Sequence, residues 1–141
     1  MSIDLKELLY QDLILREKDL REFVKTHKWS DYQGKYVAIY CSADAIIPTW
    51  AFMLIAVALE PFAKKIHFGN ESSMMTELFR KAMSGIDWET YRNAKVVIKG
   101  CGKVHVPESA YVDAAASLRP VAASIFYGEP CSTVPLYKKP K

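Results

Sequence analysis

The sequence predicts an α/β domain with a small, mainly parallel sheet and helices on both faces, and three observations carry this prediction. Short runs of β-branched and aromatic residues at positions 35–40, 65–68 and 95–99 alternate with helical patterns. No long structureless stretch interrupts this alternation. The chain has 141 residues, half of them hydrophobic, which is enough for one core. We therefore predict a single domain over residues 1–141, with no internal repeat.

The N-terminal region, residues 1–34, is predicted to form a helix that covers the sheet. Leu20, Phe23 and Val24 would line its inner face, and charged residues surround them in the sequence. The preceding run at 13–15 fits either a short strand or an extension of the same helix, and periodicity leaves that choice open.

Three further helices are predicted downstream of the first strand. The segment 45–59 carries no charge but is too short to cross a bilayer, so we interpret 48–63 as a helix buried against the sheet. Helices at about 70–84 and 107–118 follow, each with a capping residue or proline at its start. Beyond the break at Pro120, the next segment fits either a helix or a returning strand, and the chain closes with a basic tail at 136–141.

A doubly wound strand order of 2-1-3 would place the strands at 35–40 and 95–99 side by side and parallel. Cys41 and Cys101 would then emerge at the same end of the sheet, in the crevice where such sheets bind ligands. A return of the chain after Pro120 would bring Cys131 towards them. The turn at 128–130 would restrict the backbone conformation of the segment that leads to Cys131.

The net charge and the N-terminal residues argue against several classes of function and location. The net charge of +3 is mild and its only local excess lies in the tail, so we expect neither nucleic-acid binding nor membrane association. The N-terminus has no secretory pattern, which predicts a cytoplasmic location. In a reducing compartment, three widely spaced cysteines argue against a disulfide framework.

A shared metal site is the first functional hypothesis. Three thiolates are suitable ligands for zinc or an iron–sulfur cluster, and a tetrahedral centre needs only one more donor. Asp44 is the preferred fourth ligand because it follows Cys41 by three residues. The other candidate donors near the cysteines are Glu129, His105 and Glu108.

Two alternatives stay open beside the metal site. Cys101 lies between two glycines and near Lys99 and Lys103, which favours a thiol redox or sulfur-transfer enzyme with Cys101 as the nucleophile. The three cysteines are equally compatible with unrelated burial in a structural interaction module. His27 is interpreted as a helix-end residue and His67 as a packed or surface histidine of an edge strand. Whether the chain is an enzyme or forms a homo-oligomer stays open.

Several phrases of the sequence resemble an uncharacterised bacterial family of Bacteroidetes type, domain of unknown function twenty-four eighty. These phrases are Cys41-Ser42-Ala43-Asp44-Ala45, Pro48-Thr49-Trp50-Ala51, Lys99-Gly100-Cys101, Val106-Pro107-Glu108-Ser109-Ala110-Tyr111 and Gly128-Glu129-Pro130-Cys131-Ser132-Thr133-Val134-Pro135. The resemblance implies no established activity and no catalytic residues. It implies that an N-terminal strand of the family is missing or replaced here, and it points to iron–sulfur assembly proteins as partners.

Overall fold

The computed structural model describes residues 1–129 and 131–141; Pro130, in the turn predicted before Cys131, lies outside the described residues. The described chain alternates strands and helices, which confirms the predicted α/β class. It divides into two compact units, Met1–Met74 and Met75–Lys141, which are described separately. Each unit holds its own three-stranded sheet, whereas the sequence analysis predicted one sheet.

The first unit contains a fully parallel sheet in the order β1-β2-β3. Its elements in chain order are β1 (Ser2–Asp4), α1 (Glu17–Thr26), β2 (Tyr36–Tyr40), α2 (Thr49–Leu59), β3 (Lys65–Phe68) and the start of α3 (Glu71–Met83). The central strand β2 is buried at Val37, Ala38 and Ile39, as expected for a parallel strand covered on both faces.

Helix α2 supplies much of the first core. Ala51, Ile55 and Leu59 recur every four residues and are fully buried, so they form one continuous stripe. The helix ends at Leu59, earlier than the predicted residue 63, because Pro61 has no N–H to continue the hydrogen-bond ladder. At 11 residues α2 is too short for a membrane span, and none of the described helices is long and apolar enough to cross a bilayer.

The second unit combines a parallel and an antiparallel strand pair in the order β4-β5-β6. Its elements are the rest of α3, β4 (Lys95–Ile98), α4 (Glu108–Leu118), β5 (Ser124–Glu129) and β6 (Ser132–Lys138). The segment after Pro120, which the sequence left open, is thus a returning strand. The buried core of the second unit consists of Leu118, Ala122 and Ile125.

The predicted 2-1-3 strand order is wrong, because β2 and β4 lie in different sheets. Both edges of β2 are already occupied: Ile39 lies opposite Ile3 of β1 on one side and Phe68 of β3 on the other. Strand β1 has only three residues and no apolar run, so the sequence pattern did not reveal it. Cys41 and Cys101 therefore do not follow neighbouring strands of one sheet.

The prediction that the chain has no internal repeat is also wrong. Four consecutive elements of the first unit recur in the second unit with a constant offset of 88 − 29 = 59 residues. Corresponding elements are the 3₁₀ helices Trp29–Tyr32 and Trp88–Tyr91, the strands β2 and β4, the helices Thr49–Leu59 and Glu108–Leu118, and the strands β3 and β5. At the same offset the following residues are identical: Trp29 and Trp88, Tyr32 and Tyr91, Val37 and Val96, Ile39 and Ile98, Pro48 and Pro107, Ala51 and Ala110, Ala56 and Ala115, Leu59 and Leu118, Pro61 and Pro120, Ala63 and Ala122, Ile66 and Ile125, Gly69 and Gly128.

Backbone geometry repeats with the same offset. Gly34 N–H donates to Phe62 O at 2.9 Å, and Asn93 N–H donates to Val121 O at 2.8 Å. Gly34 and Asn93 also share a left-handed conformation, with φ of 71° and 61°, which glycine and asparagine tolerate best. The two β-α-β segments are therefore equivalent in detail, and differences between them single out what is special to each unit.

Candidate functional site

The carboxyl end of the β4–β5 pair holds the most chemically varied cluster of the second unit. Ile98 lies opposite Tyr127 in the parallel register, so the residues that follow Ile98 emerge beside Tyr127. The loop after β4 then presents Cys101, whose side chain is exposed. Carboxyl ends of parallel strands are the usual ligand sites of α/β sheets.

Two tyrosines stand at this end of the sheet. The rings of Tyr111, on α4, and Tyr127, on β5, meet edge to face with centroids 5.7 Å apart and planes at 79°. A Cβ atom at Gly100 would lie 3.0 Å from the Tyr111 hydroxyl oxygen and 3.4 Å from that of Tyr127. Both hydroxyls therefore approach the backbone directly before Cys101, and the missing side chain of Gly100 makes room for them.

The pKa of Tyr111 reflects its proximity to both Tyr127 and Cys101. Partial desolvation raises the pKa of Tyr111 above its usual value, and the neighbouring Tyr127 and Cys101 raise that pKa further by charge repulsion. A hydrogen bond between the two phenols acts in the same direction on the Tyr111 pKa. Tyr111 therefore keeps its proton at neutral pH and can donate a hydrogen bond.

The first unit has the same aromatic pair without the hydroxyls. Phe52 and Phe68 correspond to Tyr111 and Tyr127, and their rings meet at 5.0 Å and 85°. Ser42 stands where the second unit has Cys101. The thiol and both phenols therefore belong to the second unit only, although the scaffold is shared.

An ion pair connects the two loops at the site. Lys99 Nζ lies 3.5 Å from Glu129 Oε2, which joins the residue after β4 to the end of β5. Cys131 follows two residues after Glu129 and is exposed. Cys101 and Cys131 thus lie at the same edge of one sheet, together with Glu129.

The remaining predicted ligands have separate placements. Cys41, in the first unit, is half-buried against that unit's core, and its Sγ lies 3.7 Å from Ala43 O. Asp44 is exposed in the first unit. In the second unit, His105 is exposed in the loop before α4, and Glu108 is exposed in the first turn of α4. Across residues 1–129 and 131–141, no three His, Cys, Asp or Glu side chains are grouped to hold a metal ion.

Sequence reasoning missed Tyr111 and Tyr127 as site residues. Nothing in the local sequence of either residue distinguishes it from any other aromatic residue of a helix or strand. The repeat could have identified them. At the 59-residue offset, tyrosines replace Phe52 and Phe68, and a cysteine replaces Ser42.

Comparison with known proteins gives a family and no activity. No curated protein and no solved structure matches the chain. The model of one family, described as "Protein of unknown function (DUF2480)", matches residues 1–139. Because that match extends over nearly the whole sequence, the chain belongs to the DUF2480 family of proteins of unknown function.

Proposed function

We propose that the second unit is a thiol-exchange module in which Cys101 is the nucleophile and Cys131 the resolving thiol. The observation that carries this proposal is the placement of Cys101, exposed, at the same sheet edge as the hydrogen-bonded tyrosine pair and Cys131. The substrate class is a small disulfide or persulfide, whose sulfur is the electrophile.

The chemistry proceeds in two balanced steps. The Cys101 thiolate attacks one sulfur of the disulfide, forms a mixed disulfide and expels a thiolate, which takes up a proton. The Cys131 thiolate then attacks the Cys101 sulfur, closes a protein disulfide and expels the second thiolate. The substrate disulfide is the oxidant, and the two cysteines are oxidised.

The tyrosines have a supporting role in this scheme. The Tyr127 hydroxyl can donate a hydrogen bond to the leaving sulfur as negative charge develops on it. Tyr111 donates its own proton to the Tyr127 oxygen and so orients the Tyr127 hydroxyl. The exposed ion pair between Lys99 and Glu129 lies next to both cysteine-bearing loops.

The test is reaction with an aromatic disulfide that releases a coloured thiolate. We expect Cys101→Ser to remove the fast phase. In Cys131→Ser, Cys101 should react as fast as in the wild type but stop as a mixed disulfide, detectable by intact-mass measurement. Cys41→Ser is the control, because its half-buried thiol should not affect the fast phase.

Two outcomes would contradict the thiol-exchange proposal. One is a fast phase that survives in Cys101→Ser. The other is a wild-type protein that retains the mixed disulfide as stably as Cys131→Ser does, because resolution by Cys131 would then be absent.

A second candidate function is metal binding by the second unit, with zinc or an iron–sulfur cluster held by Cys101 and Cys131. It is favoured by the shared sheet edge of Cys101 and Cys131, since soft thiolates in one place attract such metals. An accessory role beside iron–sulfur assembly proteins belongs to this candidate.

Elemental analysis after anaerobic purification tests the metal candidate. About one metal centre per chain in the wild type, lost in Cys101→Ser as well as in Cys131→Ser, is the expected result. Retention of full metal content in both of these variants would exclude a metal site in the second unit. The control is Ser42→Ala, which keeps all three thiols.

A further inference from the structure

The first unit contains a cavity of about 240 Å³ beside its edge strand β1. Residues from β1, the turn after it, α1, the 3₁₀ helix and the end of β2 surround it, among them Asp4, Glu7, Phe23, His27, Tyr32 and Tyr40. The volume is sufficient for a molecule somewhat larger than benzene, which a cavity of about 150 Å³ can hold.

Negative charge dominates the cavity wall. Asp4 and Glu7 line it, and none of the lining residues is a lysine or arginine. Burial tends to raise the Asp4 pKa, but hydrogen bonds from the Ser42 hydroxyl and the Ser42 and Lys6 backbone N–H groups outweigh it and lower that pKa. Asp4 is therefore ionised at neutral pH, with both oxygens engaged, and Glu7 is the carboxylate left to meet a ligand.

The opposite side of the cavity is aromatic and well ordered by its contacts. The His27 ring lies 4.4 Å from the Phe23 ring, and His27 Nε2 is 2.7 Å from the Tyr32 hydroxyl. Burial, followed by the charge of Asp31, raises the pKa of Tyr32, so its hydroxyl keeps its proton. The ring contact and this hydrogen bond link Phe23, His27 and Tyr32 into one continuous wall.

The repeat shows that this arrangement is particular to the first unit. At the 59-residue offset, Phe23 and His27 correspond to Ala82 and Ile86. The second unit's sheet order of β4-β5-β6 also has no strand that corresponds to β1. Tyr32 recurs as Tyr91, but within the described residues Phe23, His27 and the carboxylates of β1 and the turn after it have no counterparts in the second unit. The repeated β-α-β segment therefore does not require them.

We propose that this cavity binds a small organic cation, an ammonium group attached to an apolar body. Glu7 is the counter-ion, and the rings of Phe23 and Tyr40 receive the apolar body. A carboxylate gives the ammonium a charge-assisted hydrogen bond, and aromatic faces attract cations. The proposal is independent of the thiol chemistry in the second unit.

The test is an NMR titration of the full chain with benzylammonium chloride at constant ionic strength, compared with neutral benzyl alcohol. The reporter is the indole N–H of Trp29, which donates to Val24 O at 2.8 Å and whose ring lies 4.9 Å from His27. We expect this signal to shift with saturation, while the indole signal of Trp88, the corresponding residue of the second unit, stays in place. Benzyl alcohol should bind at least about tenfold more weakly, because it lacks the charge.

Glu7→Gln should weaken benzylammonium binding about tenfold and leave benzyl alcohol binding unchanged. Glu22→Gln, an exposed carboxylate on α1 outside the cavity, is the matched control and should leave both affinities unchanged. Amide spectra of both variants establish that they are folded. Equal affinity for the two probes, an unchanged affinity in Glu7→Gln, or no saturable shift at Trp29 would overturn the proposal.

Discussion

Leu59→Ala is expected to lower the free energy of unfolding by about 2–5 kcal/mol. Leu59 is fully buried at the end of α2 and belongs to the core that β2 and α2 share. Removing three carbon atoms there forfeits their transfer free energy and leaves a cavity that the close-packed neighbours cannot fill. Urea denaturation followed by circular dichroism measures the change.

The matched control for Leu59→Ala is Val57→Ala on the same helix. Val57 is 71% exposed, so its truncation should change the free energy of unfolding by no more than about 0.5 kcal/mol. If both substitutions cost the same, α2 does not bury the stripe of Ala51, Ile55 and Leu59, and the core of the first unit is assigned incorrectly.

Gly128→Ala is expected to destabilise the protein by more than the roughly 1–3 kcal/mol of backbone strain alone. Gly128 has φ of +118°, a conformation that side chains rarely adopt. A Cβ atom there would also lie 2.8 Å from Ser132 O, a backbone atom of the neighbouring strand that cannot move without disturbing the β5–β6 pairing. Thermal and urea unfolding should both show the loss.

Two other glycine substitutions serve as controls. They separate the effect of the backbone conformation at residue 128 from the effect of replacing any glycine. Gly102→Ala meets open space and has no unusual φ, so it should be nearly neutral. Gly34→Asn should also be tolerated, because Asn93 adopts the same left-handed conformation at the corresponding position of the second unit. A Gly128→Ala protein as stable as Gly102→Ala would show that the backbone at residue 128 differs from the structure described.

Local sequence patterns predicted most of the elements. The helix predicted at 107–118 is α4, and the runs at 35–40, 65–68 and 95–99 contain β2, β3 and β4. These elements could be read from the sequence because each depends on side-chain periodicity, a starting proline or a stopping glycine within a few residues.

The candidate site was predictable only in part. Cys101 and Cys131 were identified because they follow predicted strands or turns, and Glu129 because it lies two residues before Cys131; in the structure all three lie at the carboxyl end of the β4–β5 pair. Tyr111 and Tyr127 were not, because nothing in their local sequence distinguishes a site tyrosine from a core aromatic residue. Their proximity depends on the register of β4 with β5, which lies outside any local window.

The sequence by itself determined the type and approximate bounds of α4, β2, β3 and β4. It also contains the 59-residue repeat, since both features follow from residue identity at given positions. Only the tertiary structure decided which strands pair. Pairing depends on backbone hydrogen bonds between segments far apart in the chain, and these bonds carry little side-chain signature. Strand β1 occupies the side of β2 where the 2-1-3 order predicted β4. Strand β4 lies instead in a second sheet, so Cys41 and Cys101 belong to different units.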